Sequence, residues 1–332
     1  MSETRFDVLG IGNAIFDILG HVREETLTEN GLVKGSMRLV SNEESAAVDG
    51  LLTDAVRISG GSAGNTVAGV ASLGGRAAFI GKVANDTYGE AYRGDMHHIG
   101  IEFRTTPITD GTPTATSIIL VTPDGERTMN THLGACQLLT VDDIDFELVD
   151  ASAITFLEGY LFDPDAAKRA FRTAAERANQ SGRVAAVTLS DSFCVERHRA
   201  DFRDWIGSGQ IGLIFANIAE AKALFETDDL DQACQALSRE VKTVVVTMGD
   251  AGARVLSEGS QWEVPAHPTA VVDLTGAGDL FAGGYMHGHA KGLPPGECAR
   301  IGALAAAEVI SHFGARPQKE LRDLAVADGL TG

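Results

Sequence analysis

The residues best placed to do chemistry lie in the stretch 273–279, Asp-Leu-Thr-Gly-Ala-Gly-Asp. It runs between the β-branched pair Val271-Val272 and a segment, 280–291, patterned as a helix. A glycine-rich turn at a helix start offers unpaired backbone N–H groups to an anion. Asp279 sits in that first turn, where a carboxylate stays ionised at neutral pH and can serve as a base. In the functional reading the amides of Gly276, Ala277, Gly278 and Asp279 surround a phosphoryl group in transfer, while Asp279 takes the proton of an attacking hydroxyl. Such chemistry needs little beyond positioning and electrostatics. In the plainer reading the stretch is a tight turn into a helix, with Asp279 complementing the macrodipole.

Other short polar clusters fall where a ligand could meet them. Gly10-Ile-Gly12-Asn13 resembles a dinucleotide fingerprint, but the third glycine would fall at Ile15 and is absent. Asn13 and Asp17 instead follow the end of the first strand, the edge at which open α/β sheets bind ligands, and two short polar side chains there could hold a diol. Gly60-Gly61 with Asn65 precedes a helix of small residues, where backbone can approach a ligand closely. Asn217-Ile-Ala-Glu220 opens a helix; it reads as a capping box, or as a carboxylate, Glu220, that orients Mg²⁺ through water. Thr247 and Gly249 follow a run of valines and could approach a nucleotide, and Arg127 is one of few cations near a projecting hairpin. Walker A and protein-kinase signatures are absent, so any use of ATP requires a different scaffold.

The elements that must position these groups follow from periodicity. Short apolar runs at 8–11, 77–80, 153–157, 184–189, 211–215 and 243–247 alternate with helical patterns at 63–73, 89–98, 165–179, 217–225 and 231–240. Alternation of this kind implies βαβ units and a doubly wound, mostly parallel α/β sheet with helices on both faces. Residues 301–313, apolar almost all round, read as a buried helix. Two stretches break the rhythm. Residues 16–40 hold strand-like pieces separated by Glu24-Glu25-Thr26 and Asn30-Gly31, and 112–130 reads as a hairpin with one exposed face. Together they are expected to form a small β-sheet lid, with 1–15, 41–111 and 131–332 as the main catalytic domain.

The 332 residues are 44% hydrophobic and 22% charged, with a formal net charge of −19. That balance argues against nucleic-acid or anionic-membrane partners, which demand clustered Lys and Arg. The four cysteines lack metal-site spacing, the N-terminus has no apolar signal-like region, and no run reaches the length of a membrane span. A cytoplasmic protein is expected.

Three of these motifs occur in the order found in the ribokinase-like (PfkB) carbohydrate kinases, and the chain resembles that family over nearly its whole length. Gly60-Gly61 with Asn65 looks like the family's N-terminal signature. Residues 273–279 look like its C-terminal signature, with Leu274 replacing the commoner Thr, and Asn217/Glu220 match its N-x-x-E motif. The resemblance implies ATP as donor, Mg²⁺, possible use of a monovalent cation such as K⁺, and Asp279 as the base. It implies a nucleotide site near Asn217, Thr247 and Gly249, and Arg127 directed at the transferred phosphate. Within the family, Gly12-Asn13 and Asp17 look most like the adenosine-kinase subgroup, which implies that Asp17 holds the ribose 2′- and 3′-hydroxyls with Asn13 and Asn65 nearby. The animal enzymes carry a phenylalanine pair after the position of Gly159; this chain has Tyr160-Leu161-Phe162. The expected activity is phosphorylation of the ribose 5′-hydroxyl of a nucleoside, with a sugar kinase of the same family as the alternative. An oxidoreductase is disfavoured by Ile15, and a silent nucleoside-binding protein by the intact Asp279. A monomer and a homodimer are both compatible with the sequence.

Overall fold

The computed structural model describes residues 4–330, so positions 1–3 of the N-terminal stretch read above lie outside the described residues. In chain order its strands are β1 (Phe6–Ile11), β2 (Ile15–His21), β3 (Met37–Leu39), β4 (Val56–Ser59), β5 (Ala77–Ile80), β6 (Glu102–Phe103), β7 (Ala115–Val121), β8 (Arg127–His132), β9 (Ser152–Glu158), β10 (Val184–Thr188), β11 (Leu213–Asn217), β12 (Thr243–Thr247), β13 (Ala253–Ser257) and β14 (Ser260–Val264). Nine of them form one sheet in the order β14-β13-β12-β11-β10-β9-β1-β5-β6. It is parallel except at the β12-β13-β14 edge. That antiparallel edge was not anticipated, because its strands alternate exposed and buried residues instead of forming apolar runs.

Alternation along the central strands sends side chains to two cores. Val8, Phe79, Ile154 and Phe156 face a core shared with the helices Ser62–Ser72, Ala277–Ala290 and Pro295–Val309. Leu9, Ile80, Leu157 and Val187 face the other, covered by Asp165–Gln180, Ser192–Gly207, Ile218–Phe225 and Leu230–Glu240. The expected strands and helices of this body occur with ends shifted by up to a few residues. The helix Ser192–Gly207 was not foreseen; it starts at Asp191, whose side chain accepts from the Cys194 N–H at 2.6 Å. The helix expected at 301–313 runs from Pro295 to Val309.

The second sheet has the order β3-β8-β7-β2-β4. Three details differ from the sequence reading. Residues 24–29, read as a separator between strand pieces, form a short helix. The hairpin expected to have one exposed face has β7 buried along its length, because the helix Asn42–Asp49 lies over it and bonds through Ser45 to the Thr116 hydroxyl at 3.0 Å. And β4, in a stretch assigned to the main body, pairs antiparallel with β2.

The chain passes from β1 through a three-residue link straight into β2, so no helix follows Gly12 and the dinucleotide-fold reading is excluded. In the large sheet β1 lies between β5, its successor there, and β9, where the strand order reverses. A crevice opens outside the carboxyl ends of strands at such a switch point. Asn13 and Glu158 stand at that edge, at or just past the ends of β1 and β9.

Candidate active site

The helix Ala277–Ala290 begins from Gly276 in left-handed backbone, φ +79°. A Cβ there would also sit 2.9 Å from that of Ala315, so the turn requires glycine. The first-turn amides of Gly278 and Asp279 have no carbonyl one turn back to bond within the helix. Asp279 accepts hydrogen bonds from Ser62 Oγ at 2.6 Å and Asn65 Nδ2 at 3.0 Å. Burial raises its pKa, against the two hydrogen bonds and the Arg316 charge. Asn65 is itself buried, and its Oδ1 has no partner among the described residues.

Asp17 projects from β2 over the turn that follows β4. A Cβ on Gly60 would lie 2.0 Å from Asp17 Oδ2, so the carboxylate rests directly on glycine backbone. Burial lifts Asp17 to about 7, with the Arg316 and Arg127 charges opposing and Asp279 adding to the rise. Gly61 has φ +82° and packs its Cα against the Asn13 carbonyl.

Sequence reasoning assigned no role to the residue that ties these loops together. Glu158, 1% exposed at the end of β9, accepts from Asn13 Nδ2 at 2.7 Å, from Asn13 N at 3.3 Å and from Ala63 N at 2.8 Å. Burial lifts it to about 7 despite those three donors. An acidic residue closing a buried apolar strand was the available signal. Asn13 thus spends its amide group on Glu158. Ser62, inside the glycine motif, and Arg316 were also missed; Arg316 sits in a loop with no local pattern to mark it.

Arg127, at the start of β8, is held by the signature motif itself: its guanidinium donates to Asp273 and to the Thr275 hydroxyl. Asp273 also accepts from Thr275 N at 3.0 Å and Gly314 N at 2.9 Å, which fixes the turn.

Asn217, Glu220, Thr247 and Gly249 form a second group at the ends of β11 and β12, where Asn217 and Thr247 are register partners. Asn217 and Glu220 make a full capping box, with Glu220 accepting from Asn217 Nδ2 at 2.5 Å and N at 2.9 Å. Burial lifts Glu220 to about 7, and the nearby Asp191 charge adds to this. Gly249, at φ +62°, has open space where a Cβ would stand. Tyr160 lies between the two groups. Its N–H and hydroxyl both donate to Ser190, which holds left-handed backbone at φ +73°. Desolvation by the surrounding protein and the charges of Asp191, Asp279, Glu220 and Glu158 push its phenol up, although 39% of the residue is exposed.

The four cysteines are free and buried. Among the described residues no group of three or more His, Cys, Asp or Glu side chains is arranged to hold a metal, and no helix is long and apolar enough to cross a membrane.

A doubly wound sheet carrying a second β-sheet, with a glycine turn and a hydrogen-bonded carboxylate at its switch point, defines a class of phosphoryl-transfer enzyme without a Walker loop. The profile of the pfkB family carbohydrate kinases matches residues 31–321, and the chain belongs to that family. It is therefore a phosphotransferase with an alcohol group as acceptor, of a family that uses ATP. The structure of adenosine kinase from Sinorhizobium meliloti superposes with a TM-score of 0.92 at 46% identity, covering 98% of this chain and 100% of that one. A probable sugar kinase from Rhizobium etli CFN 42 superposes at 0.93 with 43% identity, over 99% of this chain and 100% of the other. Adenosine kinase 2 of Arabidopsis thaliana is 25% identical over 94% of this chain and 96% of its own length.

Proposed function

We propose that the protein transfers the γ-phosphoryl group of ATP to the ribose 5′-hydroxyl of a nucleoside, with adenosine as the substrate. The observation that carries this reading is that one short stretch serves both carboxylates: Asp17 rests on Gly60, and Ser62, two residues on, donates to Asp279. A carboxylate for a diol and a carboxylate for a reacting hydroxyl suit the two ends of a ribose. The similarity to the Sinorhizobium adenosine kinase supports it further.

In this reading Asp17 accepts hydrogen bonds from the 2′- and 3′-hydroxyls, and Asn65 Oδ1, left without a partner, faces a donor of the ligand. Asp279 accepts the 5′-hydroxyl proton as the new oxygen–phosphorus bond forms and the bond to ADP breaks. A base raised toward neutrality by burial matches that task. The amides of Gly278 and Asp279 stabilise the charge on the phosphoryl oxygens. Arg127 leaves Asp273 for the phosphoryl group once negative charge arrives. Tyr160 borders the base. The second sheet, built mainly from 16–40 and 112–130, closes over the nucleoside and excludes water that would otherwise hydrolyse ATP.

The nucleotide is assigned to the β11–β12 edge, where the open space over Gly249 admits close approach and Asn217 and Thr247 border it. Both oxygens of Glu220 are already engaged by Asn217, so the carboxylate would hold Mg²⁺ only through water, and its raised pKa beside Asp191 marks a place where a cation is favourable. When bound, Mg²⁺ supplies neutralisation of the phosphate charge. A cytoplasmic location, where ATP is available, accompanies the reading.

A thermal-shift panel tests it, because a ligand stabilises the fold by RT ln(1 + [L]/Kd). Adenosine is expected to raise Tm, and free ribose and fructose to leave it unmoved; the reverse order would favour the sugar-kinase reading that the Rhizobium etli neighbour suggests.

A further inference from the structure

Arg316 touches the backbone supports of both reactive carboxylates. Its Nε donates to the Ser59 carbonyl at 2.9 Å. Ser59 precedes Gly60, on which Asp17 rests, and is the register partner of Phe16. On its other side, a Cβ on Gly64 would lie 3.3 Å from Arg316 Nη2. Gly64 falls between Ser62 and Asn65, the two donors to Asp279. The guanidinium therefore sits between the strand that carries the Asp17 support and the helix that carries the Asp279 donors. Its Nη2 is buried with no acceptor among the described residues. A buried cationic donor left unpaired is costly, so its position calls for compensating negative charge.

The surrounding charges supply it. Burial disfavours the Arg316 cation, and Asp17 on β2, Asp95 on the helix Thr87–His98 and Asp279 on the helix Ala277–Ala290 act against that. The other cation near Asp17, Arg127 on β8, is already engaged by Asp273 and Thr275. Tyr92 donates its hydroxyl to the Gly60 carbonyl at 3.0 Å, and Asp95 accepts from Ser59 Oγ at 2.9 Å. Both therefore brace the same turn. Glu158 on β9 adds its charge near Asp279.

We infer that Arg316 is a positioning residue for phosphoryl transfer, the shared counter-ion that favours the anionic forms of the diol anchor Asp17 and the base Asp279 together. The inference rests on the nucleoside-kinase reading for its roles, but not for its electrostatics. Two carboxylates and Glu158 in one cleft favour uptake of a proton. A single cation acting on both Asp17 and Asp279 opposes that uptake at each, so affinity for the diol and readiness of the base are lost together as pH falls.

The test is the pH profile of kcat/KM for wild type, Arg316→Gln and Arg316→Lys. An opposite charge within about 4–6 Å shifts a carboxylate by about one pH unit or more. Arg316→Gln is therefore expected to move the acid limb up by about one unit, losing roughly tenfold for each carboxylate, about a hundredfold in kcat/KM, one unit below a shared wild-type midpoint, and little at pH 9. Arg316→Lys is expected to keep the limb near the wild-type position. Equal losses for both variants at every pH would reduce Arg316 to a structural brace and overturn the inference. A readout independent of substrate and of variant folding comes from wild-type NMR. The Arg316 Nε resonance should move with the same midpoint as the Asp17 and Asp279 side-chain carboxyl carbons, and a resonance that ignores that titration also overturns it. A wild-type protein that phosphorylates no nucleoside yet shows this coupled titration would remove the substrate reading and leave the counter-ion in place.

Discussion

The two sides of the crevice are built in different ways. On the acceptor side, Asn13, Asp17, Gly60, Asn65, Glu158 and Asp279 come from six separate elements or loops. They are joined by hydrogen bonds and contacts across long stretches of sequence, such as Asn65 to Asp279 and Asn13 to Glu158. On the donor side, the Asn217–Glu220 pair closes on itself within one helical turn, and Gly249 faces open space. The first is a network that exists only in the folded protein; the second is a cap closed within a single helical turn. Long-range networks hold groups in place before substrate arrives, and preorganisation of that kind belongs where bonds are made. The nucleotide side needs only an approachable backbone.

Substitutions on the two sides should differ accordingly. Asp279→Asn breaks the acceptor side at its centre. Loss of a general base costs about 10²–10⁴-fold in kcat, with nucleoside affinity largely kept, as single-turnover and binding measurements would show. Asp17→Asn should instead raise the Kd for a nucleoside, by roughly 10-fold or more, since it removes a charged acceptor from hydroxyl donors. A purely kcat effect there would exchange the two roles. Glu158→Ala leaves three buried N–H donors without acceptors and should destabilise the fold by about 3 kcal/mol or more in denaturant unfolding. A cost below that of a single cap would show that the network is not what holds the loops.

Glu158 and Glu220 both stand near 7 in the fold against an ordinary 4.5. A carboxyl raised in the native state binds protons there that the unfolded chain has released. Its contribution to stability is fully present below about 4.5 and is lost as pH rises through about 7. The ligand-free protein should therefore lose Tm across that window, and Glu158→Gln should flatten the decline. A Tm that climbs through the window would contradict both values. The smallest effect is expected at the local cap: Asn217→Ala should cost about 1 kcal/mol of stability and leave nucleoside affinity unchanged.

The same contrast explains what could be read from sequence. The capping box, the glycine turns and the apolar strands are local patterns, and they stand where spacing put them: β12 spans 243–247 as expected. The switch point follows from alternation of strands and helices. Glu158 and Arg316 are different in kind. Nothing within several residues of Arg316 distinguishes it from a surface arginine, because none of its partners is local: Ser59, Gly64 and Asp17 lie more than two hundred residues earlier, and Asp279 belongs to the helix Ala277–Ala290. The helix over β7 was invisible for a related reason. Residues 42–49 are mostly polar, and only the burial of Ser45 and Val48 against the sheet shows why β7 carries apolar residues on both faces. Arg127 was placed by resemblance, while its tether to Asp273 depends on a contact across 146 positions.

The central claim is that Asp17 and Asp279 grip the two ends of one ribose. Mass-spectrometric analysis of the product formed from ATP and adenosine tests it most directly, with 5′-deoxyadenosine as the matched control. The account predicts ADP and adenosine 5′-monophosphate in equal amounts from adenosine, and no phosphorylated product from the 5′-deoxy compound. Phosphorylation of ribose or fructose in place of adenosine, or a phosphate on a ring hydroxyl of 5′-deoxyadenosine, would contradict it.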